Sequence, residues 1–136
     1  MSEPTRPLPD LDEPDTGQFW RHAAEQRLTF QRCAGCERPV FFPRNHCPSC
    51  GGTDLSWEDS SGSGTIYSRT VIRRHGHPFF GARCPYVVAW IDLDEGFRML
   101  AEVVADDPES VAIGDRVQVE WEEHAEGSIP LFRALR

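Results

Sequence analysis

Two pairs of cysteines with identical spacing constrain this chain more than any other feature of its sequence. Cys33 and Cys36 form the first pair and Cys47 and Cys50 the second, with ten residues between the pairs. Each Cys-x-x-Cys pair closes a tight turn that points two thiolates at one ion, so two turns supply the four ligands of a tetrahedral Zn²⁺. Four protein ligands leave no open position, which makes the predicted zinc structural. Two disulfides, a redox pair or a rubredoxin-like iron atom stay open as alternatives.

The length and composition limit the size of the core and the cellular location. The 136 residues suffice for one ordinary domain or two very small ones, and an apolar share of 39% gives only a modest core. Residues 1–6 lack the apolar segment of a secretory signal, and the longest apolar run, residues 87–91, is too short to span a bilayer. These features predict a cytoplasmic protein without a membrane segment. The reducing cytoplasm favours a metal over disulfides.

The net charge of −8 is unevenly distributed along the chain. Residues 19–57 carry five arginines and three acidic residues, whereas residues 58–136 carry eight arginines and fourteen acidic residues. Nucleic-acid binding requires a concentrated basic face, so this charge pattern disfavours that function. All fourteen basic residues are arginine, which excludes Schiff-base chemistry through a lysine of this chain.

The N-terminal region predicts a tail followed by a helix. Four prolines among acidic and small residues predict a disordered acidic tail over residues 1–14. A helix is expected to begin at Asp15 or Thr16, where a short side chain caps the first amides, and to run to about residue 27. Phe19 and Trp20 contribute to its apolar stripe. The stripe is expected to pack on its own domain, and docking onto a partner subunit is the alternative.

Short strand patterns flank the cysteine turns. Residues 28–32 alternate like a strand that leads into the first turn, and residues 40–43 form a second short strand that leads out of it. Together with the helix they define a predicted zinc-ribbon domain over residues 15–57. The serine- and glycine-rich residues 60–64 predict a flexible hinge after it.

The remaining residues, 58–136, carry the pattern of a small β-barrel. Strands are predicted over residues 65–72, 85–93, 97–104, 117–121 and 129–135. A single helical turn is predicted between the third and fourth of them, an arrangement typical of an OB-fold barrel. The predicted fold is therefore mainly β, with an N-terminal helix and a zinc ribbon followed by a five-stranded OB-fold barrel.

The order of the motifs resembles a known family. A helix from Phe19 leads to Cys-x-x-Cys and then to Cys-Pro-x-Cys-Gly at residues 47–51. The series continues with Gly-Thr-Ile-Tyr-Ser at 64–68, Pro-Tyr-Val-Val-Ala at 85–89, Leu-Asp-Glu-Gly at 93–96 and Ile-Gly-Asp-Arg-Val at 113–117. Over roughly residues 18–135 it is similar to the acyl-CoA-associated proteins that join a rubredoxin-like zinc ribbon to an OB-fold domain.

The resemblance implies an accessory, non-catalytic subunit that carries a structural Zn²⁺. Members of this family assemble with thiolase-superfamily enzymes, among them the lipid-transfer-protein-like aldolases that cleave steroid side chains. The resemblance therefore implies a partner subunit of this kind, with its own catalytic residues and with acyl-CoA at the shared interface. A nucleic-acid-binding module built from the OB fold and the ribbon is the alternative function.

Residues 73–84 are the best candidate for direct contact with a ligand or a partner, because the corresponding loop flanks the binding face of OB barrels. Arginines suit phosphate, and aromatic side chains suit an acyl chain, an adenine or a protein interface. The candidate contact residues are Arg73, Arg74, His75, His77, Phe79, Phe80 and Arg83. A general-base role for His75 or His77 is a weaker alternative, because neither has a carboxylate or nucleophile beside it in the sequence.

Overall fold

A computed structural model of the chain describes residues 5–135, which fold into a helix, a three-stranded sheet and a closed barrel. The elements are α1 (Gly17–Ala24), β1 (Thr29–Cys33), β2 (Pro39–Val40), β3 (Leu55–Asp59), β4 (Ser63–Ile72), α2 (Pro78–Arg83), β5 (Tyr86–Leu93), β6 (Arg98–Val104), a 3-10 turn (Pro108–Ser110), β7 (Arg116–His124) and β8 (Gly127–Ala134). Residues 1–4, at the start of the predicted tail, and residue 136 lie outside the described residues.

The first sheet carries the cysteine turns. β1 lies in the middle, and β2 and β3 pair with it in antiparallel register. One cysteine turn connects β1 to β2, and the second precedes β3, so both turns lie at the same end of this sheet. The predicted zinc-ribbon architecture follows from this arrangement.

The second sheet closes on itself in the order β4-β5-β6-β8-β7, and β7 pairs back to β4. The pairs are antiparallel except β6 with β8, which is parallel. This is the Greek-key order of an OB barrel, so the predicted fold is confirmed. Closure depends on a register shift in β4 between Ile66 and Ser68, after which the strand continues beside β5.

The connection between the two sheets is fixed by hydrogen bonds, although the sequence predicted a flexible hinge at residues 60–64. Ser60 donates its hydroxyl to Glu95 Oε1 at 2.6 Å, and the amide of Ser61 donates to Glu95 Oε2 at 2.8 Å. Gly62 has φ 79°, and a Cβ there would lie 2.3 Å from a methyl group of Val119. These small residues therefore serve close packing, and Ser63 and Gly64 already belong to β4.

The core of the barrel includes the base of the zinc ribbon. Phe30 of β1 is 1% exposed and stacks on Phe97 with ring centroids 4.7 Å apart. Leu28 and Phe19 join the same buried cluster as the barrel residues Ile91 and Phe132. The predicted domain limits at 57/58 stay a prediction, and β3 continues pairing with β1 to Asp59.

Helix α1 is shorter than the sequence predicted, because it ends at Ala24 and Gln26 adopts a positive φ of 60°. Its start is also capped differently. Neither Asp15 nor Thr16 caps the first amides with its side chain; Glu13 instead accepts hydrogen bonds from the amide and the hydroxyl of Thr16. The helix packs on β8, and its buried face includes Phe19 and His22.

Residues 5–14, called the N-terminal strap below, contain no helix or strand. The strap nevertheless contacts the folded domain, because the Arg6 side chain is only 8% exposed and forms an ion pair with Glu122 of β7. Leu11 also approaches α1 so closely that a Cβ on Gly17 would lie 2.4 Å from its carbonyl oxygen. Within residues 5–135, neither helix has the length and apolar character needed to cross a membrane.

Candidate functional site

The four predicted zinc ligands converge at one end of the first sheet. The sulfurs of Cys33, Cys36, Cys47 and Cys50 all lie within 4.8 Å of one another. Cys33 Sγ is 3.5 Å from Cys50 Sγ, and Cys36 Sγ is 3.6 Å from Cys47 Sγ. A tetrahedral zinc with Zn–S distances of about 2.3 Å requires sulfurs about 3.8 Å apart, so the donor set fits the ion. These distances are also much longer than the ~2 Å of an S–S bond.

Backbone amides support this donor set. The amide of Ser49 points at Cys47 Sγ, and the amide of Gly52 points at Cys50 Sγ, each at 3.4 Å. Hydrogen bonds from backbone amides, including that of Cys50, lower the pKa of the Cys47 thiol to about 6. The turn thus favours the thiolate of Cys47, which is the form that binds metal, whereas the pKa of Cys50, in spite of the Gly52 amide, is raised to about 11 by its contact with the neighbouring thiol of Cys33.

An apolar cavity of about 190 Å³ lies between α1, the ribbon and the barrel. Its lining includes Trp20 of α1 and Phe42, which follows β2, together with Leu100 of β6 and Leu131 of β8. Arg6 of the strap also lines the cavity. The stripe with Phe19 and Trp20 was expected to pack on its own domain, with docking onto a partner subunit as the alternative. Phe19 is 4% exposed and belongs to the core, and of the two only the half-buried Trp20 reaches the surface.

A network of charges beside the cavity holds the strap on the barrel. Arg6 Nε donates to Glu122 Oε1 at 2.5 Å, and Arg6 Nη2 lies 3.5 Å from Glu102 Oε1. Arg83 of α2 donates to Glu102 Oε2 at 2.5 Å. Burial raises the pKa of Glu122, but hydrogen bonds from Arg6 and His124 outweigh it and hold this pKa below its usual range. The Glu122 carboxylate is therefore ionised near neutral pH.

The predicted contact loop is partly helical, because α2 occupies its second half. Its aromatic side chains face the strap: the Arg6 guanidinium lies 4.8 Å from the ring centroid of Phe79 and 5.3 Å from that of Phe80. Of the three predicted phosphate ligands, Arg73 pairs with Glu109 and Arg83 pairs with Glu102 and Glu122. Arg74 is exposed and forms no ion pair within residues 5–135.

The two histidines of this loop organise its backbone. His77 precedes α2, and its Nδ1 accepts a hydrogen bond from the amide of Phe79, which caps the helix. His75 Nδ1 accepts from the amide of His77 at 3.0 Å. These contacts provide a structural reason for both histidines that requires no proton transfer.

Three residues of the charge network, Arg6, Glu102 and Glu122, were missed from the sequence. Glu122 belongs to no motif in the sequence, but it lies in β7 and is paired with an arginine 116 positions away. Arg6 was placed in the tail. The only hint of its role was a single arginine among the acidic residues of that segment.

Comparison with known proteins gives the family. A family model described as the rubredoxin-like zinc ribbon domain of ChsH2 matches residues 20–56, and one described as the C-terminal OB-fold domain of ChsH2 matches residues 57–122. Among solved structures, a chain of the "Ltp2-ChsH2(DUF35) aldolase" superposes with a TM-score of 0.82 at 35% identity and covers 95% of this chain and 98% of that chain.

Curated relatives include longer proteins. The probable enoyl-CoA hydratase alpha subunit of Thermomonospora curvata is 38% identical over 94% of this chain. The 3-oxo-4,17-pregnadiene-20-carboxyl-CoA hydratase alpha subunit of Mycobacterium tuberculosis is 34% identical over 79% of this chain. The matched region spans 40% and 33% of these two relatives. With its four-cysteine zinc site and its OB barrel, the chain belongs to the DUF35 family of ChsH2-like zinc-ribbon and OB-fold proteins.

Proposed function

We propose that this chain is the accessory, non-catalytic subunit of a thiolase-superfamily acyl-CoA enzyme. The observation that carries the proposal is the similarity, over nearly the full length of both chains, to the DUF35 chain of an aldolase whose name pairs it with Ltp2. A chain of the same length and fold is thus already known beside an aldolase subunit. The zinc site supports this role, because four thiolate ligands leave the metal no position for substrate.

The reaction proposed for the complex is carbon–carbon cleavage of a CoA-linked steroid side chain. The name of the M. tuberculosis relative supports a steroid acyl-CoA substrate, and the structural similarity to an aldolase supports the reaction type. Because His75 and His77 accept backbone hydrogen bonds in this chain, the proposal assigns the acid and base of the reaction to the partner subunit. Acyl-CoA is proposed to bind at the shared interface, where exposed Arg74 is available for a phosphate.

A cytoplasmic location belongs to the same proposal. The five cysteines form no disulfide, and four of them cluster as metal ligands, which agrees with a reducing compartment. Nucleic-acid binding is less well supported, since nine arginines in residues 5–135 are already neutralised by carboxylates.

The test is co-expression with the lipid-transfer-protein-like subunit of the same source. We expect a stable complex that cleaves a β-hydroxyacyl-CoA with a steroid side chain, whereas neither chain alone does so. The double variant His75→Ala/His77→Ala should retain kcat in the complex, because the catalytic groups lie on the partner. Turnover by this chain alone, lost in that double variant, would contradict the proposal.

A further inference from the structure

The outer surface of the barrel differs between its two sides. On β7 the outward side chains are polar or charged, as in the ion pair of Glu120 with Arg133 of β8 at 3.0 Å. On β5 the inward residues Val87, Ala89 and Ile91 are buried, and the outward residues Val88 and Trp90 are apolar as well, although Asp92 near the end of the strand is charged. A barrel strand with one face in water alternates apolar and polar residues. The middle of β5 therefore has the composition of a strand that is covered on both faces.

The exposed apolar residues near β5 form one continuous surface. Trp90 faces Leu100 across the β5–β6 pair, and both line a shallow depression on the barrel. Leu100 also lines the cavity beneath α1, together with Phe42 of the ribbon. Trp90 is 39% exposed, Leu100 is 48% exposed and Phe42 is 53% exposed. We call Phe42, Leu100 and Trp90 the apolar strip.

The charges beside the apolar strip indicate the chemistry of its partner. Nine arginines in residues 5–135 form ion pairs, whereas Arg38, Arg44, Arg69 and Arg74 form none in that range. Two of these four adjoin the strip. Arg44 donates to the carbonyl of Phe42 at 3.0 Å, and Arg69 lines the depression that contains Trp90 and Leu100.

Most arginines of this acidic protein, whose net charge is −8, form an ion pair with a carboxylate. Arg44 and Arg69 form none within residues 5–135. Apolar side chains flanked by unpaired arginines fit a surface that presents apolar residues between carboxylates. Tryptophan and arginine are also the residues that most often dominate the energy of such contacts.

We infer that the apolar strip, flanked by Arg44 and Arg69, is the surface on which the thiolase-superfamily subunit docks, through apolar side chains bordered by carboxylates. The inference rests on the proposed function for the identity of the partner. It adds the location of the interface on this chain and the charge of the surface that binds there. It also places the contact on the ribbon and the barrel together, because Phe42 belongs to the first and Trp90 to the second.

The experiment measures binding of the purified partner subunit by calorimetry and by stopped-flow association at two salt concentrations. Leu100→Ser and Trp90→Ser should each weaken the complex at least tenfold, mainly through faster dissociation. Arg44→Glu and Arg69→Glu should slow association, and the difference from wild type should shrink at high salt. Zinc content and circular dichroism of every variant establish that it is folded.

Two matched variants serve as controls. Ile113→Ser removes an apolar side chain that is 69% exposed but lies before β7 and lines neither the cavity nor the depression. Arg38→Glu reverses the charge at an exposed arginine of the ribbon that forms no ion pair within residues 5–135 and lines neither the cavity nor the depression. Both should bind the partner like wild type.

The outcomes separate the inference from the proposed function. If wild type does not bind the partner subunit, the proposed function fails. If wild type binds and the strip variants bind equally well, the inference alone is wrong. If wild type is a dimer that Leu100→Ser converts to a monomer without weakening the partner complex, the strip is a self-association surface and the inference is overturned.

Discussion

The two ends of the zinc ribbon are stabilised by different means. At one end, Cys33 and Cys47 are buried with Val40 in a cluster of three residues, to which Cys36 and Leu55 add partly buried contacts. At the other end, three residues further back along β1, Phe30 is buried in the large core that the ribbon shares with the barrel.

The difference shows how a small domain divides its stability. Three buried residues remove too little apolar surface from water to fold a loop, so the cysteine end depends on its metal. The base of the ribbon is ordinary core, with Phe30 against Phe97 and Phe41 against Phe97 at 5.1 Å. Loss of the metal should therefore unfold only the cysteine end of the ribbon, whereas loss of the aromatic contact should destabilise the ribbon base and the barrel together.

Removing the zinc should have the largest effect. In Cys47→Ser one ligand is lost, and a structural zinc contributes on the order of 10 kcal/mol to folding of its site. We expect the amide resonances of residues 33–55 to collapse to unfolded positions while those of β5 and β6 persist. Cys84→Ser is the control, because Cys84 lies outside the four-sulfur cluster. This variant should still bind one zinc ion per chain. Retention of stoichiometric zinc by Cys47→Ser would contradict the four-ligand site.

Phe30→Ala should have the second-largest effect, which is a loss of stability of the whole domain. Truncation of a buried phenylalanine costs about 3–5 kcal/mol, and here the cost should appear in the unfolding of ribbon base and barrel together. Urea unfolding followed by circular dichroism measures it. Phe42→Ala removes the same side chain from a site that is 53% exposed and should change the stability by only about 0.5 kcal/mol. Equal costs for the two variants would show that the core is not shared.

The smallest expected effect is a pH dependence at His22, which joins α1 to the ribbon base. His22 is 9% exposed, and its Nδ1 lies 2.8 Å from Thr29 Oγ1. Burial lowers the pKa of His22 below 6.5, so the unfolded chain binds the proton more tightly than the folded one. This contribution to stability is complete above pH 6.5 and decreases as the pH falls below that value.

The melting temperature at pH 5.5 relative to pH 7.5 measures this effect. His22→Gln should show a smaller decrease than wild type, because its side chain does not titrate. His46→Gln changes an exposed ribbon histidine, and its melting temperature should decrease on acidification by as much as that of wild type. A wild-type stability that rises on acidification would contradict the predicted direction.

Local patterns were sufficient to predict most of this fold. The strands of the barrel alternate or contain β-branched residues, and the cysteine spacing identified the metal site without any long-range information. Helix α2 was missed because six residues give too short a periodic pattern, although His77 followed by Pro78 is a recognisable helix start.

Contacts between distant residues could not be predicted from local patterns. The residues 60–64 have the composition of a flexible linker, and only the position of Glu95 in the fold makes them rigid. Glu122 has the sequence context of a solvated loop, and only the strap gives it a partner. In both cases one carboxylate, brought near by the barrel, changes the behaviour of a segment far away in the chain.

The pairing of Arg6 with Glu122 also has a consequence for synthesis of the chain. The two residues are 116 positions apart, so the strap leaves the ribosome well before β7 exists. At about 5–20 residues per second, the wait is roughly 6 to 23 seconds. During that interval the cysteines can already bind zinc, whereas Arg6 of the strap cannot yet pair with Glu122. Protection of the strap from protease therefore marks the moment at which the nascent chain has completed its barrel.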